Sequence, residues 1–268
     1  MSNIPYGNSS LRESFAIQLR VIGALVMREL LTRYGRHNIG FLWLFLEPML
    51  FTVGVTLFWY YRGGGFVGSM IPIVPFAITG YSTVLLWRNA ATRCSNAISP
   101  NLTLLYHRNV AIIDLFAARV LLEIAGATVA FIILMACAQA LGFAKAPVDL
   151  LKMLTGWLLM CWFAAALGFV VGALSERSEL FQRIWHTLTY LLFPISGAVF
   201  MVAWLPVNYR EVVLWIPMIH AVEMLRGGYF GDAVRTYYSV GYLVAVNLVL
   251  LLAGLLLISK TKNLIGTE

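Results

Sequence analysis

The stretch that decides the fold runs from residue 28 to residue 61 and reads RELLTRYGRHNIGFLWLFLEPMLFTVGVTLFWYY. Its first part is rich in arginine, and the rest is almost entirely apolar. The apolar part is about 20 residues long, which is the length that an α-helix needs to cross a bilayer. A basic segment that runs directly into a span places its arginines on the cytoplasmic side. The stretch therefore predicts a membrane protein whose first span covers residues 39–61.

The basic part predicts an amphipathic helix over residues 26–36 that lies on the cytoplasmic membrane surface. Its apolar residues recur at the i, i+3, i+4, i+7 spacing of one helix face. The opposite face carries charged residues, and its arginines suit anionic lipid head groups. An ordinary positively charged flank, with no further role, is the alternative interpretation. The residues of interest in this interface helix are Glu29, Arg33, Tyr34 and Arg36.

An acidic residue and a proline, Glu47 and Pro48, lie inside the first span. If the helix starts near Ile39, Glu47 lies roughly 10 Å into the span at about 1.5 Å per residue. A carboxyl group there is costly unless it is paired, neutral or facing a cavity. Pro48 removes a backbone donor and predicts a kink. Glu47 either is protonated and satisfies the freed backbone locally, or faces a subunit interface or a translocation path.

The composition excludes a soluble protein and several functional classes. The chain is 60% hydrophobic and 12% charged, whereas soluble domains carry about 25% charged residues. Its 3 cysteines show no metal-binding or redox spacing, so we expect neither a disulfide framework nor a metal site. The net charge of +7 is spread along membrane edges and does not indicate nucleic-acid binding. The polar residues 1–10 do not resemble a cleavable signal peptide.

The rest of the chain predicts five more spans, and hence an all-α integral membrane protein with six transmembrane helices. Lysine and arginine are more than twice as frequent in one set of loops, which places both termini in the cytoplasm. We expect one transmembrane domain over residues 1–268, made of a cytoplasmic helix (1–38), a six-span bundle (39–258) and a cytoplasmic tail (259–268). The further spans are expected at residues 70–90, 115–141, 153–174, 181–203 and 238–258.

The sequence makes two further predictions, one about helix packing and one about residues 204–236. Gly168 and Gly172 form a GxxxG pair in the fourth span, which permits close helix packing. The apolar pieces of residues 204–236 are too short to cross a bilayer. They predict a re-entrant hairpin or an interfacial helix pair at the external face.

The chain resembles the membrane subunits of ABC-2-type exporters. The residues that carry the resemblance are Arg28-Glu-Leu, Thr32-Arg-Tyr-Gly, Gly40-Phe-Leu-Trp and Glu47-Pro. The chain is most similar to capsular polysaccharide exporter permeases, with O-antigen and teichoic-acid permeases as near relatives. In these families external re-entrant helices are followed by a Pro…His…Glu…Arg pattern. Here that pattern is matched by Pro217, His220, Glu223 and Arg226, and a structural pair between Glu223 and Arg226 is the simplest interpretation.

The loop between the second and third spans predicts a short docking helix on the cytoplasmic side. A turn signal at Ser99-Pro100-Asn101 precedes apolar residues that can share one helix face. Such a piece suits the groove of another subunit, although a surface turn without a partner fits as well. The resemblance implies that it is the coupling helix that contacts the ATPase, with contacts from Asn101, Leu104, Leu105, Tyr106, His107 and Arg108.

Aromatic side chains flank the spans and are candidates for a glycan path, because sugar rings stack on aromatic faces. Interfacial anchoring in lipid explains the same residues equally well. The candidates are Trp43, Phe45, Phe51, Trp59, Tyr60, Tyr61, Trp87, Tyr190 and Phe193.

The resemblance implies a permease that moves lipid-linked capsular polysaccharide across a bacterial inner membrane. O-antigen, teichoic-acid or small-molecule export by the same fold is the alternative. The sequence has no Walker phosphate loop, so no cofactor is expected in this chain and ATP and Mg would be bound by a separate ATPase. We expect no catalytic residues and a homodimer with two ATPase copies. A periplasmic polysaccharide co-polymerase and an outer-membrane exporter are the further implied partners.

An ion-coupled transporter or a glycan-assembly enzyme is a different class of protein that the same composition allows. A coupled transporter is expected to have several intramembrane charges or an internal repeat. The sequence offers Glu47 nearly alone and no visible repeat. It also lacks the HExxH and GxSxG motifs of common hydrolases.

Overall fold

The computed structural model of the protein describes residues 11–34, 42–62, 71–105 and 110–265. Within these ranges every regular element is helical, as the sequence predicts. The helices are α1 (Leu11–Tyr34), α2 (Trp43–Tyr61), α3 (Ile73–Cys94), α4 (Leu102–Leu105), α5 (Ile112–Ala140), α6 (Leu150–Arg177), α7 (Glu179–Ile195), α8 (Val207–Val213), α9 (Pro217–Phe230) and α10 (Val240–Ile265).

Four helices in the described part of the chain are long and apolar enough to cross a membrane. They are α2, α5, α6 and the Val240–Thr261 part of α10. The other two predicted spans correspond to α3, which carries many hydroxyl side chains, and to α7, which has 17 residues. Six helices thus occupy the predicted positions, and four of them have the length and composition of a span.

The centre of the described structure is built by α3 and α6. Nearly every side chain of α3 from Pro75 to Trp87 is buried, including the polar Thr79 and Thr83. The hydroxyls of Thr79 and Thr83 donate to carbonyls one turn earlier in the same helix, so these two polar side chains are satisfied inside the core. The core continues through α9 and into α10, where Leu243 is buried against it.

Glycines let α6 approach its neighbours closely. A Cβ atom at Gly172 would lie 2.8 Å from the ring of Phe116 on α5, and one at Gly168 would lie 3.2 Å from the sulfur of Cys94 on α3. The close packing that the GxxxG pair predicts is therefore confirmed. A third glycine, Gly156, serves the same purpose for α9, because its Cβ would lie 2.7 Å from the backbone nitrogen of Leu225.

The predicted fifth span over residues 181–203 is too long, because α7 ends at Ile195. Pro194 lies in its last turn, and Gly197 follows with a φ of +86°, a conformation that glycine adopts readily. The chain then continues through a short turn into α8 and α9, which have 7 and 14 residues. Residues 204–236 thus contain two short helices, and their re-entrant or interfacial placement at the external face stays a prediction.

The first helix is longer than the predicted segment 26–36, since α1 begins at Leu11. Its inner face packs on α5 through Leu25, which contacts Leu115 and Ala118. Its outer face exposes apolar side chains, as expected of a helix that lies on a membrane surface. These exposed side chains are Phe15, Ile17, Leu19, Met27 and Leu31.

Replacing Gly156 by alanine tests the packing of α9 on α6. The added Cβ would meet backbone atoms of Leu225, which cannot rotate away, so we expect G156A to lower the free energy of unfolding by about 1–3 kcal/mol. The matched control is G241A, because a Cβ at Gly241 has no neighbour within 4 Å. The measurement is thermal unfolding of the purified protein, followed by tryptophan fluorescence. Equal melting temperatures for the two variants would contradict the close approach.

Candidate functional site

An ion-pair network joins four helices at the cytoplasmic ends of the predicted spans. We call it the inner charge cluster. Arg33 of α1 pairs with Glu123 of α5. Arg93 of α3 lies 3.5 Å from the same Glu123 carboxylate and 3.7 Å from that of Glu47 on α2. A further pair, at 3.3 Å, joins Arg119 of α5 to Glu29 of α1. The members are Glu29, Arg33, Glu47, Arg93, Arg119 and Glu123.

The pairing in this cluster runs between helices. Glu29 and Arg33 have the spacing of an i,i+4 pair on α1, as do Arg119 and Glu123 on α5. In the structure, each instead finds a partner on another helix. Glu123 is 7% exposed, so its two arginine partners offset the cost of burying a carboxylate. The interface helix is thereby fastened to a predicted span by charge as well as by packing.

Glu47 lies in the first part of α2, and its ion-pair partner is on α3. The described part of α2 begins at Trp43, so Glu47 is about one turn into the helix. Its side chain is 51% exposed and faces Arg93. The structure therefore shows an ion pair between Glu47 and Arg93, and part of the Glu47 side chain remains exposed. Of the other predicted interface-helix residues, the side chain of Tyr34 and all of Arg36 lie outside the described residues.

The predicted coupling segment is a turn followed by one turn of helix, α4. Asn101 is buried and fastens the turn from both sides: its amide donates to the carbonyl of Ala97 at 2.8 Å and accepts from Arg28 of α1 at 2.6 Å. Leu104 and Leu105 are half-buried and pack towards α1 and α5. Tyr106, His107 and Arg108 lie outside the described residues, so the ATPase contact of this segment stays a prediction.

An aromatic cluster lies where α2, α3 and α7 meet. The rings of Phe51, Tyr81 and Phe193 are 5.6–6.1 Å apart, with two of the three pairs edge to face. The indole of Trp59 donates to the Tyr81 hydroxyl at 3.2 Å. Phe51, Trp59 and Phe193 were predicted candidates, but Tyr81 was missed because it lies inside an apolar segment with no distinguishing motif.

The other predicted path aromatics divide by exposure. The most exposed are Tyr61 and Tyr190, at 82% and 67%. The guanidinium of Arg88 lies over the Tyr190 ring at 4.7 Å. Trp87 is fully buried among helices of its own protomer, so it has no surface on which a glycan could stack and we remove it from the set. Trp43 and Tyr60 are exposed, and Phe45 is half-buried.

The polar residues of α9 bind backbone instead of each other. The Arg226 guanidinium is fully buried and donates to the carbonyls of Gly197, Ala198 and Phe200, at 2.7–2.8 Å. It also stacks on the ring of Phe76 at 3.9 Å. These carbonyls belong to the segment that follows the broken end of α7. Arg226 therefore supplies donors that the missing helical turn would have provided.

Glu223 and His220 fasten other segments to α9. The Glu223 carboxylate accepts from the backbone N–H groups of Val202 and Tyr237, at 3.1 and 3.0 Å. No ion pair within 4.0 Å joins Glu223 to Arg226 in the described residues, so the predicted pair is replaced by these backbone contacts.

His220 is held as the neutral imidazole. Its Nδ1 accepts from the N–H of Ser239 at 2.9 Å, and its Nε2 is 2.7 Å from the carbonyl of Leu214. Since an N–H faces one nitrogen and a carbonyl faces the other, the proton lies on Nε2. Burial lowers the pKa of His220 and so favours the same neutral form. The hydrogen bond to the Leu214 carbonyl has a smaller, opposite effect on this pKa.

Comparison with known proteins identifies relatives over almost the whole chain. A profile of the ABC-2 type transporter family matches residues 20–230. The chain is 52% identical to a capsule polysaccharide export inner-membrane protein, CtrC, of Neisseria meningitidis, over 94% of this chain and 95% of the relative. It is 49% identical to the corresponding protein BexB of Haemophilus influenzae, over 95% and 96%. A polysialic acid transport protein, KpsM, of Escherichia coli is 28% identical over 92% and 95%.

Replacing Arg226 by methionine tests its role at the end of α7. The change leaves several buried carbonyls without donors, so we expect the free energy of unfolding to fall by at least about 3 kcal/mol. The control is R235M on the exposed Arg235, which makes an aromatic contact but caps no backbone segment in the described structure. Thermal unfolding in detergent measures both variants. A melting temperature for R226M that equals that of R235M would refute the role.

Proposed function

The chain belongs to the ABC-2 type transporter family and, within it, to the capsule polysaccharide export inner-membrane proteins, and from this membership we propose that it is the membrane subunit through which an ATP-driven exporter moves capsular polysaccharide. The observation that carries the proposal is about 50% identity to capsule export proteins over nearly the full length of both chains. The protein is an inner-membrane protein with multiple spanning helices. O-antigen and teichoic-acid export are less well supported, because the relatives reported above are named for capsule polysaccharide or polysialic acid.

We assign six spans to this single transmembrane domain, adding α3 and α7 to the four helices with the length and composition of a span. The polar side chains of α3 are buried within the protomer, so they do not meet lipid. The short α7 ends where the backbone leaves the helical conformation, and Arg226 donates to the carbonyls that follow. Non-helical backbone is permissible at membrane depth when protein covers it. α8 and α9 then form the external re-entrant piece, and both termini lie in the cytoplasm.

ATP and Mg are bound by a separate ATPase subunit, and the complex is a dimer of this chain with two ATPase copies. The membership in an ABC transporter family implies the ATPase. The dimer is favoured by the apolar surfaces that α2 and α7 leave exposed. The share of the membrane-spanning part of α2 that is buried inside the protomer is 17%. A second copy of the chain is the economical partner for this surface.

The ATPase docks on the segment from Asn101 to Arg108 in this proposal. Its motion reaches the spans through two connections: the hydrogen bond from Arg28 to Asn101, which joins this segment to α1, and the inner charge cluster, which joins α1 to α5. Two further pairs of the cluster, from Arg93 to Glu123 and to Glu47, add α3 and α2 to this connection. A displacement at the docking segment therefore has a direct path to the helices beside the proposed glycan route.

The glycan route runs between the two copies, along α2 and α7. The exposed aromatic residues of these helices, including Tyr61 and Tyr190, offer stacking faces with few strong hydrogen bonds. Repeated weak contacts suit a polymer that has to slide. A lipid-linked polysaccharide is the proposed substrate. A periplasmic polysaccharide co-polymerase and an outer-membrane exporter would continue the route to the cell surface.

Deletion of the gene in its host tests the function. We expect polymer that bears its lipid end to accumulate in the cytoplasm, because synthesis continues while export stops. The measurement is fractionation of the cells followed by analysis of the polysaccharide, with the gene restored on a plasmid as the control. If polymer synthesis itself stops, or if the surface polysaccharide is unchanged, capsule export is the wrong function.

Substitution of Tyr190 by alanine tests the glycan route. The variant loses one stacking interaction, with a free energy of about 0.5–1.5 kcal/mol, so we expect export to fall by up to about tenfold. The control is L252A on α10, which removes a side chain of 59% exposure from a helix outside the route. Surface polysaccharide per copy of membrane-inserted protein is the measured quantity. Equal export by the two variants would exclude Tyr190 from the route.

A further inference from the structure

A basic cavity opens beside the inner charge cluster, and its wall includes Arg28 and Asn101, whose hydrogen bond joins α1 to the docking segment. Its volume is about 500 Å³, which lies within the range of small-molecule sites. Five segments contribute to its wall: α1, the end of α3, the turn before α4, α5 and α7. Its ionisable lining residues are Arg28, Glu29, Arg33, Arg93, Arg119 and His186.

The lining carries an excess of positive charge. Four guanidinium groups face one carboxylate, that of Glu29. Counting Glu123 and Glu47, which pair with arginines of the wall from outside the cavity, still leaves one positive charge in excess. A partly buried excess charge is unfavourable unless an anion accompanies it. The cavity is therefore built for a negatively charged occupant.

Arg28 is the arginine through which such an occupant is recognised. Its one recorded side-chain partner is the neutral amide of Asn101, at 2.6 Å, and no carboxylate lies within 4.0 Å of it in the described residues. The side chain is half-buried, so its charge is only partly screened by solvent. The remaining N–H groups of its fork can bind an oxyanion in the two-pronged geometry that suits phosphate.

The position of the cavity indicates which anion is available. It lies at the ends of α3 and α7 that we assign to the cytoplasmic side, beside the basic half of α1, whose apolar residues Met27 and Leu31 are exposed, as suits a helix on a membrane surface. Phosphate groups are the principal anions at that level of a bacterial inner membrane, in lipid head groups, and they also occur in soluble phosphate esters. The cavity volume leaves room for the group to which the phosphate is attached.

We propose that this cavity binds a phosphate group at the cytoplasmic membrane surface, held chiefly by Arg28 with Arg33, Arg93 and Arg119 around it. The bound phosphate neutralises the excess charge next to the inner charge cluster. The site is a binding site on the permease itself. The proposal does not depend on which polymer the protein exports.

The experiment measures equilibrium binding to the full-length protein in lipid nanodiscs, without transport. In one arm, sn-glycerol 3-phosphate is titrated into nanodiscs of phosphatidylcholine by calorimetry. In the other arm, nanodiscs contain phosphatidylcholine with a minor fraction of phosphatidylglycerol, and the phosphatidylglycerol retained by the protein is counted by mass spectrometry. Binding in the first arm identifies a free phosphate ester as sufficient, and selective retention in the second identifies the lipid head group. Either result supports the site.

Three variants show whether the cavity is responsible. We expect R28Q to weaken binding about tenfold, as for the loss of one charge-assisted contact. The control R20Q removes the same charge from an exposed part of α1, where the recorded hydrogen bond of Arg20 within the described ranges goes to the backbone carbonyl of Ala16, and leaves binding unchanged. E29Q removes the one acidic side chain of the wall and tightens binding several-fold. A gain of affinity in E29Q cannot result from impaired folding.

Three results would overturn the proposal. The first is equal binding by R28Q and R20Q in both arms. The second is equally strong binding of glycerol without phosphate. The third is complete loss of binding when the ATPase subunit is added, because the cavity would then be a subunit contact. None of these results bears on whether the protein exports capsular polysaccharide, which the deletion experiment decides separately.

Discussion

A helix that stops inside an apolar environment exposes carbonyls that need hydrogen-bond donors, and the outer half of this protein depends on how that need is met. Arg226 provides the donors for the segment after α7, and the close approach of α3 at Gly80 brings that helix against the same guanidinium. Glu223 fastens the segments before α8 and after α9 from the other direction, as an acceptor for their N–H groups. The break in α7, the two short helices and the start of α10 are thereby held as one unit around a single buried turn of α9.

Arg119 has the same backbone-capping role at the end of α3, where it donates to the carbonyls of Arg93 and Asn96. In a protein with so few charged residues, Arg119 and Arg226 thus replace missing helical hydrogen bonds in addition to carrying charge. Arginines and carboxylates therefore do not pair one to one. Glu123 pairs with two arginines, whereas Arg119 pairs with one carboxylate and also donates to two backbone carbonyls.

The sequence predicts the long apolar helices well, because their signal is local. The helices α2, α5, α6 and α10 lie at the expected positions, and the GxxxG pair packs as its spacing suggests. The partners of the charged residues could not be predicted, because Arg33 and Glu123 are 90 positions apart and helical spacing favours nearer partners. The solvent exposure of the aromatic side chains could not be predicted from the sequence either. Trp87 and Tyr190 look alike as aromatics near an interface, yet one is enclosed by its own protomer and the other is open. The end of α7 was misplaced because hydrophobicity continues past the backbone break.

The exposed apolar faces of α2 and α7 have a consequence for assembly. In the proposed dimer, a second copy displaces lipid tails from these faces, and tails are as apolar as the side chains they touch. Joining two copies would therefore gain little from the hydrophobic effect and would exchange one apolar contact for another. Membrane lipid would compete with the proposed second subunit. The balance then depends on shape complementarity and on the dilution of the protein in the bilayer, so that a lipid with better-fitting chains could separate protomers that no change in the aqueous phase would disturb.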